Sequence, residues 1–422
     1  MTQQTGEGIW AAGGSIEGGR FLEAIGQVAV GRLPRITFGA GVAARLPSIV
    51  AGHGHRALLI RGTHSLAAGG RLEALRAALA EAGIELAGEA AVSGEPSPAL
   101  VDGIAAAHRA GGIDVVLGVG GGSALDTAKA VSGLLRVDAL VTDFLEGLPG
   151  ARPWPGPSVP LVAVPTTAGT GSEATRNAVI SERGPAGYKR SFRDERLVPA
   201  DAVVDPDLLA GLPAERIAQN GMDALAQLLE SYVSLRTGAF TDALAIAGLA
   251  AARDGLLAWH ADPEGPGAPA ARERMAWAAL LSGICLANAG LGAVHGLASP
   301  LGAQFPVPHG AACGATMTAV TATNVAALEA RQPDSPALRR YAVLGRLLAR
   351  LPEATPDPEA RAALVDTVGT WTRVLGVPGL ATWGVVEADI PAVVADARGS
   401  SMRTNPIVLS DRELAAVLAA SL

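Results

Sequence analysis

The chain has 422 residues, of which 49 % are hydrophobic and 17 % are charged. This length and composition suffice for one large or two ordinary buried cores, so we expect two domains. The formal net charge of -7 leaves no basic stripe to neutralise phosphates, which argues against a nucleic-acid-binding protein.

Residues 1–33 form a glycine-rich N-terminal extension that we expect to be partly mobile. It begins MTQQTGEGIWAAGGSIEGG and lacks both the basic start and the apolar stretch of a signal peptide. The two cysteines, Cys285 and Cys313, show no metal-ligand spacing, and we interpret them as small buried residues of a reducing compartment. A cytoplasmic protein is therefore expected.

Residues 34–208 alternate strand and helix patterns. Ser97 followed by Pro98 is typical of a helix start, and another helix is predicted over 72–82. The predicted strands are 35–38, 56–62, 85–92, 114–123 and 160–167. This order of strand, helix and strand predicts parallel pairing and an α/β domain.

Two glycine-rich loops each follow a predicted strand. The first glycine loop, GVGGGSALDTAKA, spans 118–130, and the second glycine loop, PTTAGTGSEAT, spans 165–175. Glycine lets the backbone approach a ligand, and the free amides of a new helix attract phosphate. A tight turn also explains such a loop, and the first matches neither GxGxxG nor a P-loop, because Lys129 lies too far into the helix. Two such loops at the carboxyl ends of parallel strands nevertheless predict a ligand-binding crevice.

From residue 209 onwards the pattern is helical, with proline-rich breaks at 262–269, 333–336 and 355–358. The segment 275–328 contains no Asp, Glu, Lys or Arg. Polar residues and prolines interrupt it too often for the roughly 20 apolar residues of a membrane-spanning helix. We therefore expect this segment to be buried in the protein, with no membrane partner.

Four polar residues stand out in these apolar surroundings. Asp223 and Gln227 are four residues apart and share a helix face, and His295 and His309 lie in the charge-free segment. A lone buried histidine is usually only hydrogen-bonded, and an acid near a helix start also complements the helix dipole. Together, however, the four donors are a plausible set for Fe²⁺ or Zn²⁺, with no thiolate among them and with Gln227 as the weakest ligand.

Four motifs, GGGSALDTAK, PTTAGTGSEAT, GMDALAQLLESYVS and HGLASPLGAQFPVPHG, resemble in order and spacing those of the iron-containing (group III) alcohol dehydrogenase family. The resemblance runs from Pro34 to the C-terminus and includes the NPIVLSDREL tail. It implies the dehydroquinate synthase-like architecture: a dinucleotide-binding α/β domain with a parallel sheet, 34–208, and an all-α metal-binding and substrate domain, 209–422. A metal would lie in the cleft between them.

The resemblance also assigns roles to individual residues. The metal ligands would be Asp223, Gln227, His295 and His309, and the catalytic residues His295, Ser299 and Lys189, with Lys189 near the nicotinamide ribose. The residues implied to contact the cofactor are Gly62, Gly120, Gly121, Gly122, Ser123, Asp126, Thr166, Thr167, Thr170, Ser172 and Lys189.

Three positions depart from the family pattern. Gln227 replaces a histidine ligand, and Ser299 stands where the family usually has a second histidine for proton transfer. No acidic residue follows the second predicted strand near Gly62, where NAD-preferring members often carry one. Because Arg61 lies beside that place, NADP(H) should be tolerated or preferred, unless Arg61 is only a solvated strand-end residue.

The function implied by the resemblance is metal-assisted, NAD(P)(H)-dependent hydride transfer between a small alcohol and its aldehyde or ketone. Two alternatives stay open: a maleylacetate-reductase-like enzyme with weak or no metal dependence, and a catalytically degenerate nucleotide-binding protein. A non-haem Fe(II) oxygenase is disfavoured, since those sites usually occur in β-barrels. The expected partners are a small-molecule alcohol or aldehyde and further copies of the chain, in a homodimer or larger homo-oligomer.

Overall fold

The computed structural model describes residues 28–66, 69–184 and 187–422. Most of the glycine-rich extension, including the segment predicted to be mobile, lies outside these described residues.

A six-stranded parallel sheet forms the centre of the N-terminal region, as the alternating pattern predicted. Its strands are β1 (Arg35–Phe38), β2 (Arg56–Gly62), β3 (Glu85–Val92), β4 (Val115–Gly120), β5 (Leu161–Pro165) and β8 (Asp201–Val204). They lie in the order β1-β8-β5-β4-β2-β3 across the sheet. Every residue of β4 and β5 is buried, which is why these central strands read as continuous apolar runs.

Helices cover both faces of the sheet and enclose a hydrophobic core on each side. Val116 of β4 belongs to one core, while Val115 and Leu117 belong to the other, as the alternation of side chains along a strand requires. The helices are α1 (Leu46–Ala51), α2 (Arg71–Glu81), α3 (Pro98–His108) and α4 (Gly122–Leu134). Ser97 caps α3 as predicted, because its hydroxyl accepts a hydrogen bond of 3.2 Å from the Leu100 amide.

One element of this region was not predicted. The strands β6 (Asn177–Glu182) and β7 (Tyr188–Arg193) form an antiparallel hairpin outside the parallel sheet. β7 carries Lys189 beside the helical region, where a side chain added at Gly302 would come within 3.7 Å of its Nζ atom.

Residues 209–422 contain no strand, so the predicted all-α region is confirmed. Its helices are α5 (Ala214–Val233), α6 (Ala239–Ala261), α7 (Ala268–Ala289), α8 (Ala293–Gln304), α9 (His309–Arg331), α10 (Pro336–Leu348), α11 (Asp357–Val374), α12 (Ile390–Asp396) and α13 (Asp411–Ala419). The three predicted proline-rich breaks separate α6 from α7, α9 from α10 and α10 from α11. The predicted domain boundary near residue 208 falls in a short 3-10 helix, Pro206–Leu209.

Helix α9 is long and apolar enough to cross a membrane by length and composition, and so is the bent pair α7 and α8 taken together. In α9, 67 % of the qualifying window is buried inside the protein. Core helices meet the same criteria, so this finding is weak evidence for a membrane span.

Lys129, in α4, is a fully buried cation that holds the second glycine loop against the sheet. Its ammonium donates to the Ser172 carbonyl at 2.9 Å, the Thr175 hydroxyl at 3.0 Å and the Asn177 carbonyl at 2.5 Å. Burial lowers the pKa of Lys129, while the nearby carboxylate of Asp126 acts against that shift. The second glycine loop therefore depends on an interior charge with satisfied hydrogen bonds.

We predict that Lys129→Met lowers the free energy of unfolding by about 3–5 kcal/mol, since it leaves several buried acceptors without their donor and removes the charge nearest to Asp126. The change would be measured as a lower midpoint of urea-induced unfolding. Arg152→Met is the control, because its ion pair with Asp143 is exposed and should contribute less than about 1 kcal/mol. Equal losses in the two variants would contradict the structural role of Lys129.

Candidate metal and nucleotide site

Three of the four predicted metal ligands converge from three different helices. Asp223 lies on α5, His295 on α8 and His309 on α9. The Oδ1 atom of Asp223 is 3.2 Å from His295 Nε2 and 3.8 Å from His309 Nε2. One carboxylate oxygen thus faces two imidazole nitrogens, although the three residues are up to 86 positions apart in the sequence.

Glu230 fixes the orientation of His295 from behind. Its Oε2 atom is 2.7 Å from His295 Nδ1, and its Oε1 atom accepts from the Val294 amide at 2.6 Å. Burial alone would favour neutral His295, but neighbouring Cys313 and the carboxylates of Asp223 and Glu230 raise its pKa well above the usual range. A carboxylate behind a metal-binding imidazole is a common arrangement, and sequence reasoning did not identify Glu230.

His309 forms the more exposed edge of this site, since 27 % of its side chain is accessible. Burial lowers the pKa of His309 to about 4. The nearby Lys189 cation lowers this pKa further, whereas the carboxylate of Asp223 acts in the opposite direction. The imidazole is therefore neutral near pH 7 and able to donate a lone pair. Its Nδ1 atom is buried and has no hydrogen-bond partner among the described residues.

Cys313 joins these three residues, which the sequence analysis did not foresee. Its Sγ atom lies 3.8 Å from Asp223 Oδ1, 3.7 Å from His295 Nε2 and 4.0 Å from His309 Nε2. Burial raises the pKa of the Cys313 thiol to about 11, so without an ion it is protonated. Cys313 follows His309 by four residues on the same helix, and this spacing was the only feature of the sequence that indicated where the thiol lies.

We call Asp223, His295, His309 and Cys313 the donor cluster. Their candidate ligand atoms all lie within 4.8 Å of one another. One carboxylate oxygen, two imidazole nitrogens and a thiol suit a divalent transition metal in both chemistry and spacing.

Gln227 lies beside the donor cluster, and its amide group is held by hydrogen bonds to two neighbouring side chains. Its amide nitrogen donates to Asp223 Oδ1 at 3.3 Å, and its amide oxygen accepts from the Ser282 hydroxyl at 2.9 Å. In this orientation the amide oxygen points away from Asp223, so the predicted ligand role of Gln227 stays a prediction.

The predicted cofactor residues lie together at the carboxyl edge of the sheet. A side chain added at Gly120, at the end of β4, would come within 3.0 Å of the Gly62 amide nitrogen, at the end of β2. One added at Gly122 would meet Thr170 of the second glycine loop at 2.8 Å. The two glycine loops therefore lie side by side, so close that residues with a side chain would not fit, and Gly121 and Gly122 remain partly accessible at their junction.

The remaining predicted cofactor residues divide between the loop surface and its internal support. Asp126 accepts from the Ser172 hydroxyl at 2.5 Å and from the Val179 amide at 3.0 Å, so both carboxylate oxygens are used inside the protein. Thr166 and Ser172 are buried, whereas Thr167 and Thr170 are partly accessible. Ser123 is also partly accessible, at the first turn of α4.

Ser282 connects the second glycine loop to the donor cluster. Its hydroxyl lies 3.3 Å from the Gly169 carbonyl and 2.9 Å from Gln227 Oε1. Close to it, a side chain added at Gly283 would meet the Gly171 carbonyl oxygen at 2.1 Å. The close approach of the second glycine loop and helix α7 places the carboxyl edge of the sheet next to the donor cluster.

Lys189 and Ser299, the other predicted catalytic residues, also have defined surroundings. Lys189 Nζ pairs with Glu95 Oε1 at 2.7 Å, and Glu95 also accepts from the Ser181 hydroxyl at 2.7 Å. Ser299, one turn after His295 on α8, donates to the His295 carbonyl at 3.3 Å. Glu95, like Glu230, was not identified from the sequence.

Two family models match this chain. The model for iron-containing alcohol dehydrogenase matches residues 34–206, and the model for the C-terminal part of the Fe-containing alcohol dehydrogenase family matches residues 217–422. Lactaldehyde reductase of Escherichia coli (strain K12) is 33 % identical over 362 residues, covering 84 % of this chain and 89 % of that protein. NAD-dependent methanol dehydrogenase of Bacillus methanolicus is 31 % identical over 307 residues, covering 72 % and 76 %.

Solved structures resemble the chain over nearly its whole length. A 1,3-propanediol oxidoreductase superposes with a TM-score of 0.83 at 28 % identity, covering 94 % of this chain and 100 % of that one. An archaeal halo-thermophilic alcohol dehydrogenase from a Red Sea brine pool superposes with a TM-score of 0.84 at 26 % identity, with the same coverage.

We predict that Glu230→Gln weakens Zn²⁺ binding by about 10–100-fold, the usual cost of losing an outer carboxylate behind a metal-binding histidine. The dissociation constant would be measured by competition with a chromophoric chelator. Glu329→Gln is the control, because Glu329 lies on α9 but pairs with Arg361 at the surface. Unchanged affinity in Glu230→Gln would show that Glu230 does not support His295 as a ligand.

Proposed function

Because this chain belongs to the iron-containing alcohol dehydrogenase family, we propose that its two glycine loops and its donor cluster serve one reaction. The chain is an NAD-linked oxidoreductase that interconverts a small alcohol and its aldehyde or ketone with the help of a metal. The observation that carries the assignment of residues is the convergence of Asp223, His295 and His309 beside the glycine loops.

In the proposed reaction, Asp223, His295 and His309 would hold a divalent ion, Fe²⁺ or Zn²⁺, which would supply Lewis-acid polarisation of the substrate oxygen, and the bound nicotinamide would supply the hydride chemistry. The backbone of Gly120, Gly121 and Gly122 would take the pyrophosphate at the start of α4, where no side chain caps the free amides of the helix.

Other residues of the site position the reactants and exclude water. Lys189, next to His309 and paired with Glu95, orients the nicotinamide ribose. Ser299 stays close to His295 and offers a hydroxyl for relaying a proton through solvent. The surrounding segment 275–328 contains no Asp, Glu, Lys or Arg and so offers few groups to bind a polyol or a carboxylate, which favours simple aldehydes as substrates.

Neither alternative from the sequence has a comparable observation in its favour. A degenerate nucleotide-binding protein would not require four donor atoms within 4.8 Å. A reductase with weak metal dependence would not require Glu230 to orient His295.

We predict that the purified protein oxidises NADH in the presence of simple aldehydes, followed by the loss of nicotinamide absorbance. Removing the metal with a chelator should lower the rate at least about 100-fold, because a Lewis acid contributes several kcal/mol of transition-state stabilisation. Restoring Fe²⁺ or Zn²⁺ should recover the rate.

Binding of NADH, measured by its fluorescence, is the control in that experiment and should persist in chelator. Absence of turnover across a broad panel of aldehydes and ketones would contradict the proposed reaction. Full activity after complete metal removal would instead favour the metal-independent reductase.

We also propose that the enzyme accepts NADP(H) as well as NAD(H). No acidic residue follows β2 at Gly62, Thr63, His64 or Ser65 to repel a 2′-phosphate. The adjacent Arg61 pairs with Glu89 at 2.8 Å, and Arg76 pairs with the same carboxylate at 2.5 Å. The charge of Arg61 is therefore partly neutralised, which supports acceptance of NADP(H) more than a strong preference.

We predict that Glu89→Gln raises the ratio of kcat/KM for NADPH to that for NADH by about tenfold, the scale of one hydrogen bond to a charged group. The reason is that Arg61 becomes free to bind a 2′-phosphate. Glu85→Gln is the control, since Glu85 pairs with Arg56 at the opposite end of β3. If both ratios stay at the wild-type value, Arg61 does not contact the cofactor.

For its surroundings we propose the cytoplasm and a homodimer or larger homo-oligomer. Both cysteines are unpaired thiols in the described structure, which suits a reducing compartment.

A further inference from the structure

We propose that Cys313, rather than Gln227, is the fourth protein ligand of the metal, and that the site is therefore adapted to a thiolate-binding ion such as Zn²⁺. This inference rests on the proposed function and specifies the metal centre of that same site. It assigns a role to a residue that stands outside the four ligands implied by the family resemblance.

The distances within the donor cluster match the edges of a ligand tetrahedron. With zinc bonds of about 2.3 Å to sulfur and about 2.0–2.1 Å to nitrogen and oxygen, neighbouring ligand atoms should lie about 3.3–3.6 Å apart. The measured distances from Cys313 Sγ are 3.7, 3.8 and 4.0 Å, and those from Asp223 Oδ1 to the two imidazoles are 3.2 and 3.8 Å. These five distances differ from the tetrahedral edges by less than about 0.5 Å. The sixth, between the ligand nitrogens of the two imidazoles, is within 4.8 Å, so metal binding would draw His295 and His309 closer together.

Helix geometry brings the thiol to this position. His309 and Cys313 are four residues apart on α9, so their side chains lie on one face, one turn apart. That face is opposite Asp223 of α5 and His295 of α8. Cys313 is completely buried, and its sulfur has the three other donor atoms as its polar neighbours among the described residues.

The hydrogen bonds of Gln227 are consistent with a supporting role instead. Its amide oxygen accepts from Ser282, and its amide nitrogen, which has no lone pair to give a metal, faces Asp223. Gln227 thereby holds the Asp223 carboxylate in place, as outer partners of metal ligands commonly do.

The chemical consequence is a change in metal preference. When the ion binds, the Cys313 thiol releases its proton to solvent and its sulfur lone pair forms the new coordinate bond. A thiolate favours Zn²⁺ and other thiolate-binding ions, whereas a set of oxygen and nitrogen donors also suits harder ions such as Mn²⁺. The loss of one histidine from the family pattern is thus balanced by a soft ligand from a neighbouring helix.

Substitution of Co²⁺ into the metal-free protein tests this inference. We expect the visible bands of a four- or five-coordinate Co²⁺ together with an intense near-ultraviolet band from sulfur-to-cobalt charge transfer. The chain has two cysteines, so Cys285→Ser leaves Cys313 as its single thiol and should keep that band. Cys285 is a matched control because it is buried in α7 with its thiol directed to the Thr241 carbonyl.

Two further variants separate the candidate ligands. Cys313→Ser should lose the charge-transfer band. Its affinity for Cd²⁺ should fall by a larger factor than the about 10–100-fold that is usual when a residue supporting a metal ligand is lost. Its affinity for Mn²⁺ should change little. Gln227→Ala should retain the charge-transfer band.

Visible cobalt bands without charge transfer in wild-type protein would overturn the inference, and so would a charge-transfer band that survives in Cys313→Ser. If Cys313→Ser does not fold, the spectrum of Cys285→Ser decides the outcome alone. Turnover of aldehydes with NADH but no thiolate band would refute the role of Cys313 and leave the proposed function standing. Failure of Co²⁺ to bind, with no turnover, would refute both.

Discussion

The site depends on burying a carboxylate, with one of its oxygens 3.2 Å from one imidazole nitrogen and 3.8 Å from another. Burying an ionised carboxylate is costly unless a positive partner or hydrogen bonds compensate. Without an ion, that compensation comes from His295, whose raised pKa lets it serve both Asp223 and Glu230. A bound cation would replace a proton in an arrangement that is already organised.

The surroundings of the site follow from this constraint. Helices α5, α8 and α9 must approach closely, and small residues permit it: a side chain at Gly310 would meet the Gln219 carbonyl at 2.1 Å, and one at Gly292 would meet Glu230 at 2.8 Å. Asp223 and His295 are buried, so these two donors have little competition from water. Their buried setting also strengthens electrostatic interactions with any charge that develops on a substrate.

The carboxyl edge of the sheet, where the two glycine loops lie, is also organised by a buried polar group. Lys129 is the only Lys or Arg among the fully buried large side chains of the described residues, and it fixes the second glycine loop through backbone and hydroxyl acceptors. The loop is thereby held against α7, where Ser282 reaches both Gly169 and Gln227. The glycine loops and the donor cluster are thus connected through α7 by hydrogen bonds.

The sequence by itself determined the parallel sheet, the helical half, the family and three members of the donor cluster, because periodicity, glycine loops and motif order are local properties of the chain. It did not reveal the β6–β7 hairpin, Glu230, Glu95 or the place of Cys313. Those depend on which faces of distant helices meet, and no local pattern encodes that. Only the packing of α9 against α5 and α8 turned an apparently inert buried cysteine into a neighbour of Asp223, His295 and His309. The packing of α5 against α7 placed the oxygen of Gln227 beside Ser282.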